Sequence, residues 1–232
     1  PGASYGVFST TLYSGDSSTR TVVTGIDNSG MALVWIKART ANLSAWSHQL
    51  FDTVRGIGSY LQTNAATQQQ TNLEKLKGFT TSGFTVGFEN SVNSGSEDYV
   101  AWNFRAASGF MDIVTYNGGT DVVNNKLPHS LGVEPAFMIF KSTSAASDWG
   151  VYHKDINTSP EDYALILQTT DAARTSPNWN NTKPTSTEVS LNGNLNSNLD
   201  YVAYLFADNP DGGIKCGTYK GNGSNTGPVI TT

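Results

Sequence analysis

Apolar and polar residues alternate along much of the chain, and the period is two. In 99–104, Val100, Trp102 and Phe104 fall on one side while Tyr99, Ala101 and Asn103 fall on the other, as in a half-buried strand. Val202, Tyr204 and Phe206 repeat the pattern. Short runs rich in β-branched and aromatic residues predict further strands over 7–13, 32–38, 48–54, 59–63, 84–89, 111–116, 136–141, 150–154, 164–169 and 188–191. Clusters of Gly, Asn, Asp and Ser separate them, and Asn117-Gly118-Gly119 and Gly221-Asn222-Gly223 read as hairpin turns. Helix is expected only over 67–77, for about two turns and with little apolar stripe.

A longer period lies over the short one. Leu12-Tyr13-Ser14-Gly15 returns as Thr115-Tyr116-Asn117-Gly118 and again as Thr218-Tyr219-Lys220-Gly221, with 103 residues between successive tyrosines. At nearly the same offset, Val34-Trp35-Ile36-Lys37 matches Met138-Ile139-Phe140-Lys141, Leu61-Gln62-Thr63 matches Leu167-Gln168-Thr169, and Asp98-Tyr99-Val100-Ala101-Trp102 matches Asp200-Tyr201-Val202-Ala203-Tyr204. The expected fold is all-β: two tandem homologous β-sandwich units, jelly-roll-like, over 1–106 and 107–210, with 211–232 adding a C-terminal strand that opens a third. One larger sandwich built from both halves is the competing architecture. One local register is open, because Trp46 matches Trp149 at the 103 offset while a shift by two matches His48 with Trp149.

Charged residues make up 14% of the chain, against ~25% in an average globular domain, so uncharged polar groups must solvate the surface. A net charge of −5 provides no basic stripe for phosphates, which argues against nucleic acid or an anionic membrane surface as the main partner. The longest apolar runs, 31–36 and 136–140, fall far short of the ~20 residues of a spanning helix, so no membrane insertion is expected. Cys216 is the single cysteine, which rules out an intrachain disulfide and a thiolate zinc site. A start at Pro1, with neither Met nor a charged leader, reads as a fragment, a processed product or the ordered part of a longer chain.

Laid out by repeat, the motifs are Tyr-x-Gly, the Val34-Trp-Ile-Lys37 strand, His48-Gln-Leu-Phe-Asp-Thr-Val-Arg-Gly56, Gly83-Phe-Thr-Val-Gly87 and Tyr99-Val-Ala-Trp102, then Trp149-Gly-Val-Tyr-His153, Trp179-Asn-Asn-Thr182 and Tyr201-Val-Ala-Tyr204. Together they resemble a tandem-repeat domain of uncharacterised function found in structural proteins of tailed bacteriophages, marine and cyanobacterial ones in particular. The resemblance covers essentially the whole chain and brings no catalytic residues. It implies a non-enzymatic virion component: a tail fibre, spike or capsid decoration on the particle surface. Its partners would be other virion proteins, further copies of itself, a trimer included, and a host-surface glycan.

The residues themselves show little reaction chemistry. A glycosidase needs two carboxylates ~5 to 9.5 Å apart, and strand neighbours such as Glu97-Asp98 and Glu161-Asp162 face opposite ways. Asp98 has a counterpart in Asp200, which favours a strand-entry role for both. No Gly-x-Ser-x-Gly elbow presents a serine to His48, His129 or His153, and on a strand His48 and Asp52 would stand roughly 13 Å apart. Asp208-Asn-Pro-Asp-Gly-Gly213 lacks the ligand spacing of a calcium loop and reads as a linker turn. No catalytic residue, metal ligand or cofactor is therefore expected. A carbohydrate-binding module is the second reading and a polysaccharide-degrading enzyme the third, because exposed indoles stack on sugar rings. The candidate ligand-binding residues are Trp179, which has no counterpart in the first half and sits among Asn and Thr, together with Trp46 and Trp149.

Overall fold

The computed structural model describes residues 6–40 and 46–230. In the first half the strands are β1 (Phe8–Ser14), β2 (Arg20–Val23), β3 (Ala32–Ala38), β4 (Gln49–Asp52), β5 (Ser59–Tyr60), β6 (Gln70–Thr71), β7 (Leu76–Thr80), β8 (Gly83–Val86) and β9 (Asp98–Arg105). The second half contributes β10 (Met111–Asn117), β11 (Lys126–Pro128), β12 (Phe137–Ser142), β13 (Gly150–His153), β14 (Tyr163–Ile166), β15 (Arg174–Thr175), β16 (Glu188–Ser190) and β17 (Asp200–Phe206). The protein is all-β, built from several antiparallel sheets. One large sheet runs β1-β9-β3-β4 and the other β10-β17-β12-β13-β14-β15. Smaller sheets β2-β8-β7 and β11-β16 accompany them, with a β5-β6 ribbon.

The strand registers explain the Tyr-x-Gly motif. Tyr13 lies opposite Tyr99, and Tyr116 lies opposite Tyr201. The rings stack with centroids 5.2 and 5.0 Å apart. Each hydroxyl donates to a carbonyl of the loop above: Tyr13 to Val92, Tyr99 to Asn90, Tyr116 to Leu195 and Tyr201 to Asn194. Burial raises all four phenols, Tyr99 to about 12. Two residues after the first tyrosine of each pair the chain passes beneath that loop, where a Cβ on Gly15 would lie 2.0 Å from the Ser94 oxygen and one on Gly118 2.2 Å from the Ser197 oxygen. Glycine is required there by space.

Three cores order the layers. Val34, Ile36 and Phe51 pack with Phe84 and Val86 between the first large sheet and its small sheet. Met138, Phe140 and Tyr152 pack with Leu127 and Val189 in the second half. The third core holds Leu33, Leu50 and Leu61 against Ile139, Val151, Val202, Tyr204 and Phe206, so the two large sheets face one another. The two large sheets thus share a core, and the stack runs small sheet, large sheet, large sheet, small sheet.

Two expectations need correction. Residues 67–77 form no helix: β6 and the start of β7 lie there, and Lys75 turns inward to donate to Gln49 and Ser91. The α-helix found is one short turn, Asn90–Asn93, capped by the Glu89 side chain. The second correction concerns the C-terminus, because Gly213 to Tyr219 makes only an isolated bridge between Asn209 and Ile214, and 217–230 is exposed without strand structure. Both edges of β9 and of β17 are already occupied, by β1 and β3 and by β10 and β12, so an extra strand finds no free position beside them.

Candidate functional site

A groove of about 620 Å³ lies at one edge of the second half. Its walls are the segment entering β13, the ends of β14 and β15, the loop after β15, and a single 3-10 turn, Gly193–Leu195. Asp148, Arg174, Asn178 and Asn194 supply its polar groups, over a floor that includes Ala164, Ile166 and Leu195.

Buried residues hold each wall. Lys141, fully buried on β12, directs its amine at the Ser142 carbonyl and the Ser147 hydroxyl, tying down the loop that carries Asp148. Burial lowers this amine to about 8, with Asp148 acting in the opposite direction. Trp179, 0% exposed, donates its indole N–H to the Tyr163 carbonyl at 2.7 Å and packs on Phe140 and Tyr152. Asn178, the residue before it, is thereby held at the groove, with its backbone carbonyl accepting from Asn192. Asp148 accepts from Gln168 at 2.6 Å and lies 3.7 Å from Arg174. It is the one carboxylate in the groove lining. The groove can accordingly donate to and accept from hydroxyl groups through two amides, a guanidinium and a carboxylate.

None of the sequence-predicted residues lines this groove. Trp179 and Trp149 are both 0% exposed, and an enclosed ring offers no face to a sugar. Trp149 donates to the Gln62 and Ala65 carbonyls of the other half. Trp46, half-buried, packs on the first-half core, and its carbonyl accepts from Lys37 at 2.6 Å. The strand pairing answers the register question. Phe51 stands opposite Val34 and Tyr152 opposite Met138, while Val34 pairs five residues beyond Asp98 and Met138 five beyond Asp200. His48 and Trp149 therefore take matching places. His48 accepts the Trp35 indole proton on Nδ1 at 2.9 Å. Asp52 instead meets Arg55 and Tyr204. Asp98 accepts from Ser14 and Asp200 from Asn117, one at the entry of each long strand. What sequence reasoning missed were Arg174, Asn178 and Asn194; polar loop residues of this kind are common throughout the chain, and only the fold gathers them.

Among the described residues no group of three or more His, Cys, Asp or Glu is placed to hold a metal ion, and no helix is long and apolar enough to cross a membrane. Fold and groove together define an all-β protein of stacked antiparallel sheets with a polar concavity at one edge. The chain belongs to the family described as a domain of unknown function, DUF7483, whose model matches residues 3–232. No curated protein and no solved structure matches it.

Proposed function

We propose that the chain is a non-enzymatic surface module of a tailed-phage particle, one β-sandwich unit written twice, which attaches to host glycan through the groove of its second half. The observation that carries this reading is the groove itself: amide, guanidinium and carboxylate groups at an exposed edge, with the side chains of Asn178 and Asn194 engaged by no other described residue. Hydroxyl-rich ligands are recognised by such planar polar groups. A single lining carboxylate, already bonded to Gln168, fits binding better than glycoside cleavage, which uses a pair. The repeat reading is supported by the shared strand order β1-β9-β3-β4 and β10-β17-β12-β13, and by the two tyrosine pairs in equivalent register. The motif resemblance to phage structural proteins supplies the location, on the virion surface with other virion proteins and further copies of this chain as neighbours.

The test is titration of the purified chain with host envelope polysaccharide. Saturable binding with no release of reducing ends is expected, weakened about tenfold or more by Arg174→Ala or Asn178→Ala with the melting temperature retained. Absence of binding, equal binding by both variants, or hydrolytic turnover would each overturn the reading.

A further inference from the structure

A second concavity, of about 230 Å³, lies between the two large sheets and outside the groove. Six rings line it: Trp35 and Phe104 from the first half, Phe137, Trp149, Tyr204 and Phe206 from the second. The polar atoms of these rings are committed elsewhere. Trp35 donates to His48, Trp149 to Gln62 and Ala65, and Tyr204 to Asp52, so the cavity meets almost only carbon. Phe206 sits at the centre of the aromatic set, 5.6 Å from Phe104 edge to face and 5.7 Å from Phe137.

One side is closed by Ile214, Lys215 and Cys216, and Lys215 is the one exposed residue of the lining. Ile214 packs on two of the three cores, and the Lys215 amine lies 3.5 Å from Asp208. Ile214 bonds the backbone of Asn209, the Cys216 amide donates to Asp208, and the Cys216 thiol donates to the Ala207 carbonyl at 3.3 Å. Residues 217–230 beyond them are exposed.

We infer that this cavity is a binding site for a small uncharged aromatic molecule, which enters past the exposed Lys215. Its dimensions set the ligand class: an apolar cavity of about 150 Å³ takes a benzene ring, so about 230 Å³ takes a fused bicycle of indole size. Rings meet rings edge to face or offset at the separations the wall residues already show among themselves. A charged group inside would meet only the Lys215 amine, which Asp208 already holds at 3.5 Å.

Indole is the probe, and Cys216 reports its presence, since the thiol lies in the wall and is the only one in the chain. Indole should raise the melting temperature of the intact chain saturably and slow the alkylation of Cys216 by a neutral maleimide. Ile139→Phe, which projects a ring into the space, should weaken indole at least tenfold while melting no lower than the parent. Should that variant melt lower, Leu33→Phe fills the same space from the facing sheet. Arg174→Ala, in the glycan groove, should bind indole as the parent does. A melting temperature and alkylation rate unmoved by indole, an unchanged affinity in the filled variants, or loss of binding in Arg174→Ala would each overturn the assignment, and none of these bears on the glycan reading.

Discussion

His48 is the residue whose charge state matters most near neutral pH. Its Nδ1 accepts the Trp35 proton, and burial first, then the Lys37 charge, lower its pKa. Burial lowers His129 and His153 as well. A histidine depressed in the folded state is charged more readily when unfolded. Its contribution is therefore complete above the unfolded value of about 6.5 and is lost as pH falls from there through the folded values. The melting temperature should drop as pH falls below about 6.5, and His48→Asn, which keeps an acceptor near Nδ1, should show a smaller drop. A pH profile unaltered in the variant would remove His48 as a cause. Gly15 and Gly118 give a second expectation at this scale. Replacing either with alanine forces a Cβ against a backbone oxygen and should cost about 1–3 kcal/mol, read by urea unfolding, in each half alike.

Elements differ widely in how firmly they are held. β9 and β17 are paired on both sides, whereas the segment after Cys216 pairs with nothing described. Truncation after Cys216 should leave the melting temperature unchanged. Truncation after Gly212 removes Ile214, which packs on two of the three cores, and should lower it. Equal melting of the two truncated chains would show that Ile214 contributes nothing. Short loops carry more weight than their length suggests. The segment 62–69 crosses to the second half, where Gln62 and Ala65 accept from Trp149, Ala66 from the Ser147 amide, and the Gln69 amide donates to Thr143. In matching position, 168–173 makes no such crossing and is largely exposed.

At the level of the molecule, the two halves are joined by a buried polar network inside their common core. Arg55 binds Asp52 at 2.6 Å, and Tyr204 from the other half donates to the same carboxylate oxygen at 2.7 Å. Burial opposes the Arg55 charge, but Tyr204 and Asp52 outweigh it and keep the guanidinium above its ordinary value. Asp52→Ala leaves that charge enclosed without its partner and should cost about 3–5 kcal/mol. Tyr204→Phe leaves the Asp52–Arg55 pair intact and should cost only about 1–3 kcal/mol. Calorimetry should show one transition for the parent chain, because separating the halves exposes the third core. Two separate transitions would mean that the shared core does not couple them.

The alternation of apolar residues and the spacing of Tyr13, Tyr116 and Tyr219 were enough, without coordinates, to indicate an all-β chain and most of its longer strands. Such periods are local properties, and burial of one strand face enforces them wherever the strand ends up. The predicted helix over 67–77 failed because the cue there was composition alone, and a buried contact of Lys75 outweighed it. That Trp149 and Trp179 are wholly enclosed could not be read from order along the chain. Trp179 stands among asparagines in the sequence, and Tyr163, 16 residues away, supplies the carbonyl that accepts from its indole. The face-to-face packing of the large sheets was hidden for the same reason. β3, β9, β12 and β17 are apolar on both faces, and periodicity does not say whether the second apolar face meets a ligand, another copy or the other half of the same chain. Tertiary structure decided that, and with it the positions of the polar groove, the aromatic cavity and the network around Asp52.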